Sequence, residues 1–99
     1  MKTVLVRYTT RDDKAAENEA LIHGVFDELR GKAPQGLRYT TFKLADGSSF
    51  VHLATLDTAD GSNPLLTLDS FKRFQQGLRE RCVEPPVAVD LFPVDAYWA

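Results

Sequence analysis

Residues 37–56 read LRYTTFKLADGSSFVHLATL, and the pair Asp46-Gly47 within them decides the architecture. Asp-Gly between two runs rich in β-branched and aromatic residues is a strong short-range hairpin signal. Leu37 to Ala45 and Ser49 to Leu56 are therefore expected as antiparallel strands joined at Ala45-Asp46-Gly47-Ser48. Whether that loop has two residues or four, odd positions of the first strand pair with even positions of the second. Tyr39, Thr41, Phe50, His52 and Ala54 then share one face of the sheet, and Thr40, Phe42, Leu44, Val51 and Leu53 share the other.

Upstream, Thr3 to Tyr8 alternates and reads as a strand with Val4, Val6 and Tyr8 on one side. Asp12 and Asp13 supply acidic N-terminal residues for a helix over Lys14 to Arg30, whose stripe is Leu21, Ile22, Val25, Phe26 and Leu29, and which Gly31 and Pro34 end. Downstream, Thr58 to Thr67 reads as a loop. Phe71, Phe74, Leu78 and Cys82 recur at helical spacing, Pro85 and Pro86 stop that second helix, and Val87 to Val94 forms a last strand whose Pro93 belongs at a sheet edge. Strand, helix, hairpin, helix, strand is the split β-α-β arrangement. Right-handed crossovers set the hairpin's second strand beside strand one and the last strand at an edge. The expectation is a single α+β domain over residues 1–99: a β-α-β-β-α-β sandwich with a four-stranded antiparallel sheet and two helices on one face. Both hairpin faces carry large apolar side chains, yet two helices cover only one. A second copy of the chain is the simplest cover for the other, which predicts a homodimer through the open sheet face.

The composition narrows the classes of function. With 99 residues, 43% hydrophobic and 26% charged, the chain is of ordinary globular make-up. Its net charge is -2, with basic residues spread from Lys2 to Arg81 among acids, so no phosphate-tracking stripe exists and no nucleic-acid partner is expected. Cys82 is the only cysteine, which excludes an internal disulfide and a CxxC metal pair; neither metal nor cofactor is expected, and the thiol reads as a small buried hydrophobe. No apolar run approaches the ~20 residues needed to span a bilayer, so a cytoplasmic location and no membrane partner are expected. Thr9-Thr10-Arg11-Asp12-Asp13 stands where an acylphosphatase would carry a glycine-rich anion loop.

Val4-Leu5-Val6-Arg7-Tyr8, Glu17-Asn18-Glu19-Ala20-Leu21-Ile22, Gly36-Leu37-Arg38-Tyr39, Phe50-Val51-His52-Leu53 and Phe71-Lys72-Arg73-Phe74 together resemble the dimeric α/β-barrel superfamily. Within it, they resemble the small antibiotic biosynthesis monooxygenase-like proteins. The resemblance implies ferredoxin-like units paired sheet to sheet with helices outside. It also implies a pocket between each sheet and its own helices for a small aromatic or quinone-like molecule, in some members oxygenated without metal or flavin. The haem-degrading branch's strand-one asparagine, strand-three tryptophan and helical histidine are absent: those regions read Arg7-Tyr8 and Leu56-Asp57, and the second helix has no histidine. Haem degradation is therefore not expected. The only tryptophan is Trp98 in the tail, so the quinone-forming members' catalytic set does not transfer.

Polar residues among apolar ones supply the candidate site. Asn18 lies near the centre of the first helix's stripe, and Gln75 sits between Phe71, Phe74, Leu78 and Cys82 on the second. Tyr39 and His52 share the face that the superfamily turns toward its helices. A neutral imidazole takes a proton near pH 7, so His52 is the candidate catalytic base, with Asn18, Tyr39 and Gln75 the candidate substrate-binding donors and acceptors. Such a pocket suits proton abstraction from a phenol or hydroquinone and reaction of the anion with O2. The same pocket without turnover is a non-catalytic binding protein, and four isolated, satisfied core polar groups would leave a purely structural module. His23 reads as a solvated surface residue.

Overall fold

A computed structural model describes residues 1–98 of the chain. Strand β1 (Lys2–Thr10) leads through a 3-10 turn at Asp12–Lys14 into helix α1 (Ala15–Lys32). The hairpin strands β2 (Leu37–Lys43) and β3 (Ser49–Leu56) follow, then a second 3-10 turn at Pro64–Thr67, the short helices α2 (Asp69–Gln75) and α3 (Leu78–Arg81), and β4 (Cys82–Leu91). The sheet has the order β2-β3-β1-β4 with every neighbour antiparallel, the order that right-handed crossovers require.

The hairpin forms because Asp46 organises its loop. One carboxylate oxygen accepts from the Ser48 and Ser49 amides at 2.9 and 2.8 Å, and the other accepts from the Ser49 hydroxyl at 2.6 Å. These bonds also end β2 at Lys43, two residues before the expected Ala45. The register pairs Tyr39 with Ala54, Thr41 with His52 and Lys43 with Phe50, which is the expected odd-with-even pairing. In the β1–β3 register Val4 faces Ala54, Val6 faces His52 and Tyr8 faces Phe50. Tyr8, Thr10, Phe50 and His52 are buried on the helix side, against Ile22 and Val25 of α1 and Phe74 of α2.

Helix α1 runs through Gly31 to Lys32 instead of stopping at Gly31; Ala33 in the left-handed region closes it, its amide donating to Leu29 O at 2.7 Å, just before Pro34. It is tied to α2 by Glu28, whose carboxylate accepts from the Ser70 amide at 3.0 Å and hydroxyl at 2.5 Å, capping the first turn of α2.

The second helical segment differs most from its expected form. Instead of one helix from Phe71 to Cys82, the chain breaks at Gln76 and Gly77, the latter at φ 73°, and Cys82 is already the first residue of β4. The break is held by Arg81, whose Nη2 and Nη1 donate to the carbonyls of Phe74 at 2.7 Å and Gln76 at 3.0 Å, so it satisfies the oxygens that α2 leaves unpaired. The last strand is consequently Cys82–Leu91 rather than Val87–Val94. Pro85 and Pro86 lie inside it, on the outer edge of the sheet, while Pro93 falls beyond it.

The face away from the helices carries Phe42, Val87, Val89 and Leu91 with 54, 61, 44 and 37% of their surface exposed, and half-buried Leu5, Val51 and Leu53 beside them. Among the described residues, no helix is long and apolar enough to cross a membrane.

Candidate functional site

Three of the four candidate residues meet inside the sandwich, through two that sequence reasoning did not single out. His52, 5% exposed, points to the helix side from central strand β3. Its Nε2 lies 2.7 Å from the hydroxyl of Tyr8, and its Nδ1 lies 2.5 Å from the hydroxyl of Tyr39. The fully buried Asn18 donates through Nδ2 to the Tyr8 oxygen at 2.8 Å, and its Oδ1 accepts from Nε of the buried Arg81 at 3.2 Å. Arg81, Asn18, Tyr8, His52 and Tyr39 thus form one hydrogen-bonded chain running from α3 to β2.

Each link follows from local structure. Asn18 sits at the centre of the α1 stripe, as its helical phase predicts. Tyr39 and His52 share a face by hairpin parity, and β1 adds Tyr8 to it. Arg81 points inward because the helix break turns it over the end of α2, where its guanidinium also lies 5.6 Å from the centre of the Phe74 ring.

Aromatic rings seal the imidazole. The ring centres of Phe74, Tyr8 and Tyr39 lie 5.2, 5.3 and 5.8 Å from that of His52, and Phe26 stacks on Tyr39 at 5.1 Å. Burial holds the His52 imidazole down at about 4, so the ring is neutral at pH 7. Burial likewise pushes the Tyr8 phenol up, against the lowering effect of the Asn18 hydrogen bond, and it raises Tyr39.

A cavity of about 460 Å³ lies between β1 and the broken second helix, bordered by Val6, Tyr8, Phe71, Phe74, Gln75 and Pro86, with the Gly77–Glu80 turn at its mouth. Tyr8 is the one member of the buried chain on its wall; Asn18, Tyr39 and His52 are not on it. Tyr39 borders a separate hollow of about 220 Å³ with Phe26, Arg30 and Leu37. Gln75 corrects the helical-phase reading. It is exposed at the end of α2, outside the hydrogen-bonded chain, because the helix stops there; it reaches the site only as part of the large cavity's wall. His23 is exposed. The half-buried Cys82 thiol is pushed up by burial and so is a poor nucleophile. The described residues contain no His, Cys, Asp or Glu cluster able to hold a metal.

Tyr8 was legible only as a face assignment, since its contact with His52 depends on the long-range β1–β3 register. Arg81 was not singled out, because on a continuous helix it falls at the flank of the apolar stripe, where an arginine ordinarily carries its charge out to solvent.

No protein-family model and no curated protein matches the chain. Solved structures do. Rv0793 from Mycobacterium tuberculosis superposes with a TM-score of 0.76 at 21% identity over 96% of each chain. A protein named antibiotic biosynthesis monooxygenase gives 0.77 at 14% identity over 96% of this chain and 100% of its own. A mutant of SnoaB, a cofactor-independent oxygenase from Streptomyces nogalater, gives 0.69 at 18% identity over 96% and 94%. The chain therefore has the α+β ferredoxin-like fold of the antibiotic biosynthesis monooxygenase-like structures, as its sequence resemblance implied.

Proposed function

We propose that this protein is a cofactor-independent monooxygenase-like enzyme that holds a small aromatic or quinone-type molecule in the 460 Å³ cavity between sheet and second helix. The observation that carries the reading is that Tyr8, the cavity's one link to the buried chain, is hydrogen-bonded to both His52 and Asn18. A cavity of this size, walled by Val6, Phe71 and Phe74, suits one small aromatic molecule. A phenolic hydroxyl placed against Tyr8 gives its proton to the Tyr8 oxygen as Tyr8 passes its own to His52, so His52 serves as base through Tyr8 instead of by direct contact. The resulting phenolate reacts with O2. One oxygen atom enters the ring as a carbonyl; the second leaves as water with the former phenolic and ring hydrogens, so phenol plus O2 balances quinone plus water. Asn18 positions Tyr8, Tyr39 holds the far nitrogen of His52, and Gln75 contacts the ligand's polar edge at the cavity wall.

The working form in this reading is a cytoplasmic homodimer joined through the open sheet faces, which would cover Phe42, Val87 and Val89. A single domain spans the chain.

A second reading, a non-catalytic binding protein, is favoured by one observation: both His52 nitrogens are already occupied and burial keeps the ring neutral. One experiment separates the two. A thermal-shift screen of phenols, hydroquinones and quinones identifies the ligand, and oxygen uptake is then followed for wild type and His52→Ala. The enzyme reading expects ligand-dependent uptake that falls at least about a hundredfold in the variant. Stabilisation without uptake selects the binding protein. No stabilisation by any aromatic compound refutes both.

A further inference from the structure

We propose that Arg81 is a positioning residue that gives the buried chain a single polarity, holding His52 with its proton on Nδ1 so that protons run from the large cavity at Tyr8 toward Tyr39.

Arg81 is the one group in the buried chain whose hydrogen-bonding role is fixed. A guanidinium has only donors, so the Asn18 atom facing Arg81 Nε must be the carbonyl oxygen, and the amide nitrogen must face Tyr8. The Tyr8 oxygen therefore accepts from Asn18, which leaves the Tyr8 proton to be placed. Its one remaining partner within reach is His52 Nε2 at 2.7 Å. Were Nε2 protonated, Tyr8 would receive two donors and its own hydroxyl hydrogen would have no acceptor among the described residues, in a residue only 2% exposed. Nε2 is then the acceptor, Nδ1 carries the proton and donates to the Tyr39 oxygen, and the Tyr39 proton turns away from the chain. Arg81 cannot release Asn18 easily, since its two other nitrogens are held by the carbonyls of Phe74 and Gln76.

The direction matters because it is the one in which a proton can move. A proton donated to the Tyr8 oxygen from the cavity side displaces the Tyr8 proton onto Nε2, the Nδ1 proton onto Tyr39, and the Tyr39 proton out of the chain, where Tyr39 borders the smaller hollow. One proton enters and one leaves, and the imidazole gains no net charge. The passage leaves His52 as the Nε2–H tautomer, and the Arg81-anchored arrangement is the state to which it returns. This use of the polarity rests on the proposed oxygenase reading. The tautomer itself does not, and it is read on the ligand-free protein, so the two fail separately.

The experiment is long-range 1H–15N correlation of the His52 ring at pH 7, with thermal unfolding to confirm that each variant is folded. Wild type is expected to show Nε2 with the shift of an unprotonated imidazole nitrogen and Nδ1 with that of a protonated one. In Asn18→Asp the carboxylate accepts from both Arg81 and Tyr8, so Tyr8 turns to it and His52 is expected to switch to Nε2–H. In Arg81→Met the amide is free to flip, and both tautomers are expected. Nε2–H in wild type overturns the proposal, as does Nδ1–H retained in folded Asn18→Asp or Arg81→Met. Should Arg81→Met not fold, wild type and Asn18→Asp decide the matter.

Discussion

Tyr8 reaches His52 on the diagonal of the β1–β3 pairing: the residue opposite His52 is Val6, and the residue opposite Tyr8 is Phe50. Tyr39 does the same from β2, where Thr41 is the direct partner of His52. Diagonal neighbours on a sheet lie about 7–8 Å apart, a span that a phenol crosses and a shorter side chain does not. An imidazole on a central strand thereby has both nitrogens met by phenols from its two flanking strands.

That enclosure makes stability depend on pH. The imidazole titrates at about 4 when folded against about 6.5 when free, so the unfolded chain binds the proton more readily. Its contribution is complete above about 6.5 and is lost as pH falls from there toward 4. At about 1.4 kcal/mol for each pH unit between those values, the loss approaches roughly 3 kcal/mol. Urea midpoints of wild type should fall between pH 7 and 5, and His52→Gln should remove that slope. Parallel profiles for the two proteins would contradict the assignment.

Asn18→Leu keeps the volume and removes both hydrogen bonds, leaving the Arg81 Nε without its acceptor. Unfolding free energy at pH 7 should drop by about 2–4 kcal/mol, given that an unpaired buried donor on a charged group sits at the upper end of such losses. Asn18→Asp, which still accepts from Arg81, should lose clearly less. Equal losses would mean that the site is merely a packing position.

Gly36 and Gly77 both have positive φ, 79° and 73°, but only one is crowded. A Cβ on Gly36 would come within 2.7 Å of the Asp57 carbonyl oxygen, whereas on Gly77 its nearest neighbour would be Glu80 Oε2 at 3.5 Å. Alanine should therefore cost about 1–2 kcal/mol at Gly77, from backbone strain alone. At Gly36 it should cost about 2–4 kcal/mol, because backbone must move as well. Thermal unfolding of the two variants tests the order, and a milder effect at Gly36 would reverse it.

On the open face, Val89→Lys places a charge between Leu5 and its neighbours without touching the helix side. Light scattering is expected to give twice the 11.1 kDa chain mass for wild type and the single mass for the variant, with circular dichroism unchanged. A wild-type mass of 11.1 kDa at micromolar concentration would remove the proposed dimer.

The hairpin register, the shared face of Tyr39 and His52 and the inward placement of Asn18 were legible from short-range features: a period of two for strands, one of 3.6 for helices, and a turn that fixes parity. The strand order came from crossover handedness, and the turning of Tyr39 and His52 toward the helices from the family resemblance. What was not legible depends on particular side-chain contacts that no periodicity encodes. The break at Gly77 is fixed by Arg81 capping α2, so Phe71, Phe74, Leu78 and Cys82 keep a helical rhythm that the chain does not follow. Gln75 was misplaced for the same reason. Pro85 and Pro86 read as a helix stop, although two successive residues without amide hydrogens are equally at home on an outer strand.

Those prolines set a limit on growth. Arg7 pairs with Val87 and Thr9 with Glu84, so Pro85 and Pro86 fall where β4 slips out of register opposite Tyr8. A stray strand that docked there would meet a stretch short of amide donors, on backbone already bent at the slip. At that margin the sheet cannot serve as a template for further chains. A protein with so apolar a sheet face is thus shielded, along this border, from the edge-to-edge stacking that leads to fibres.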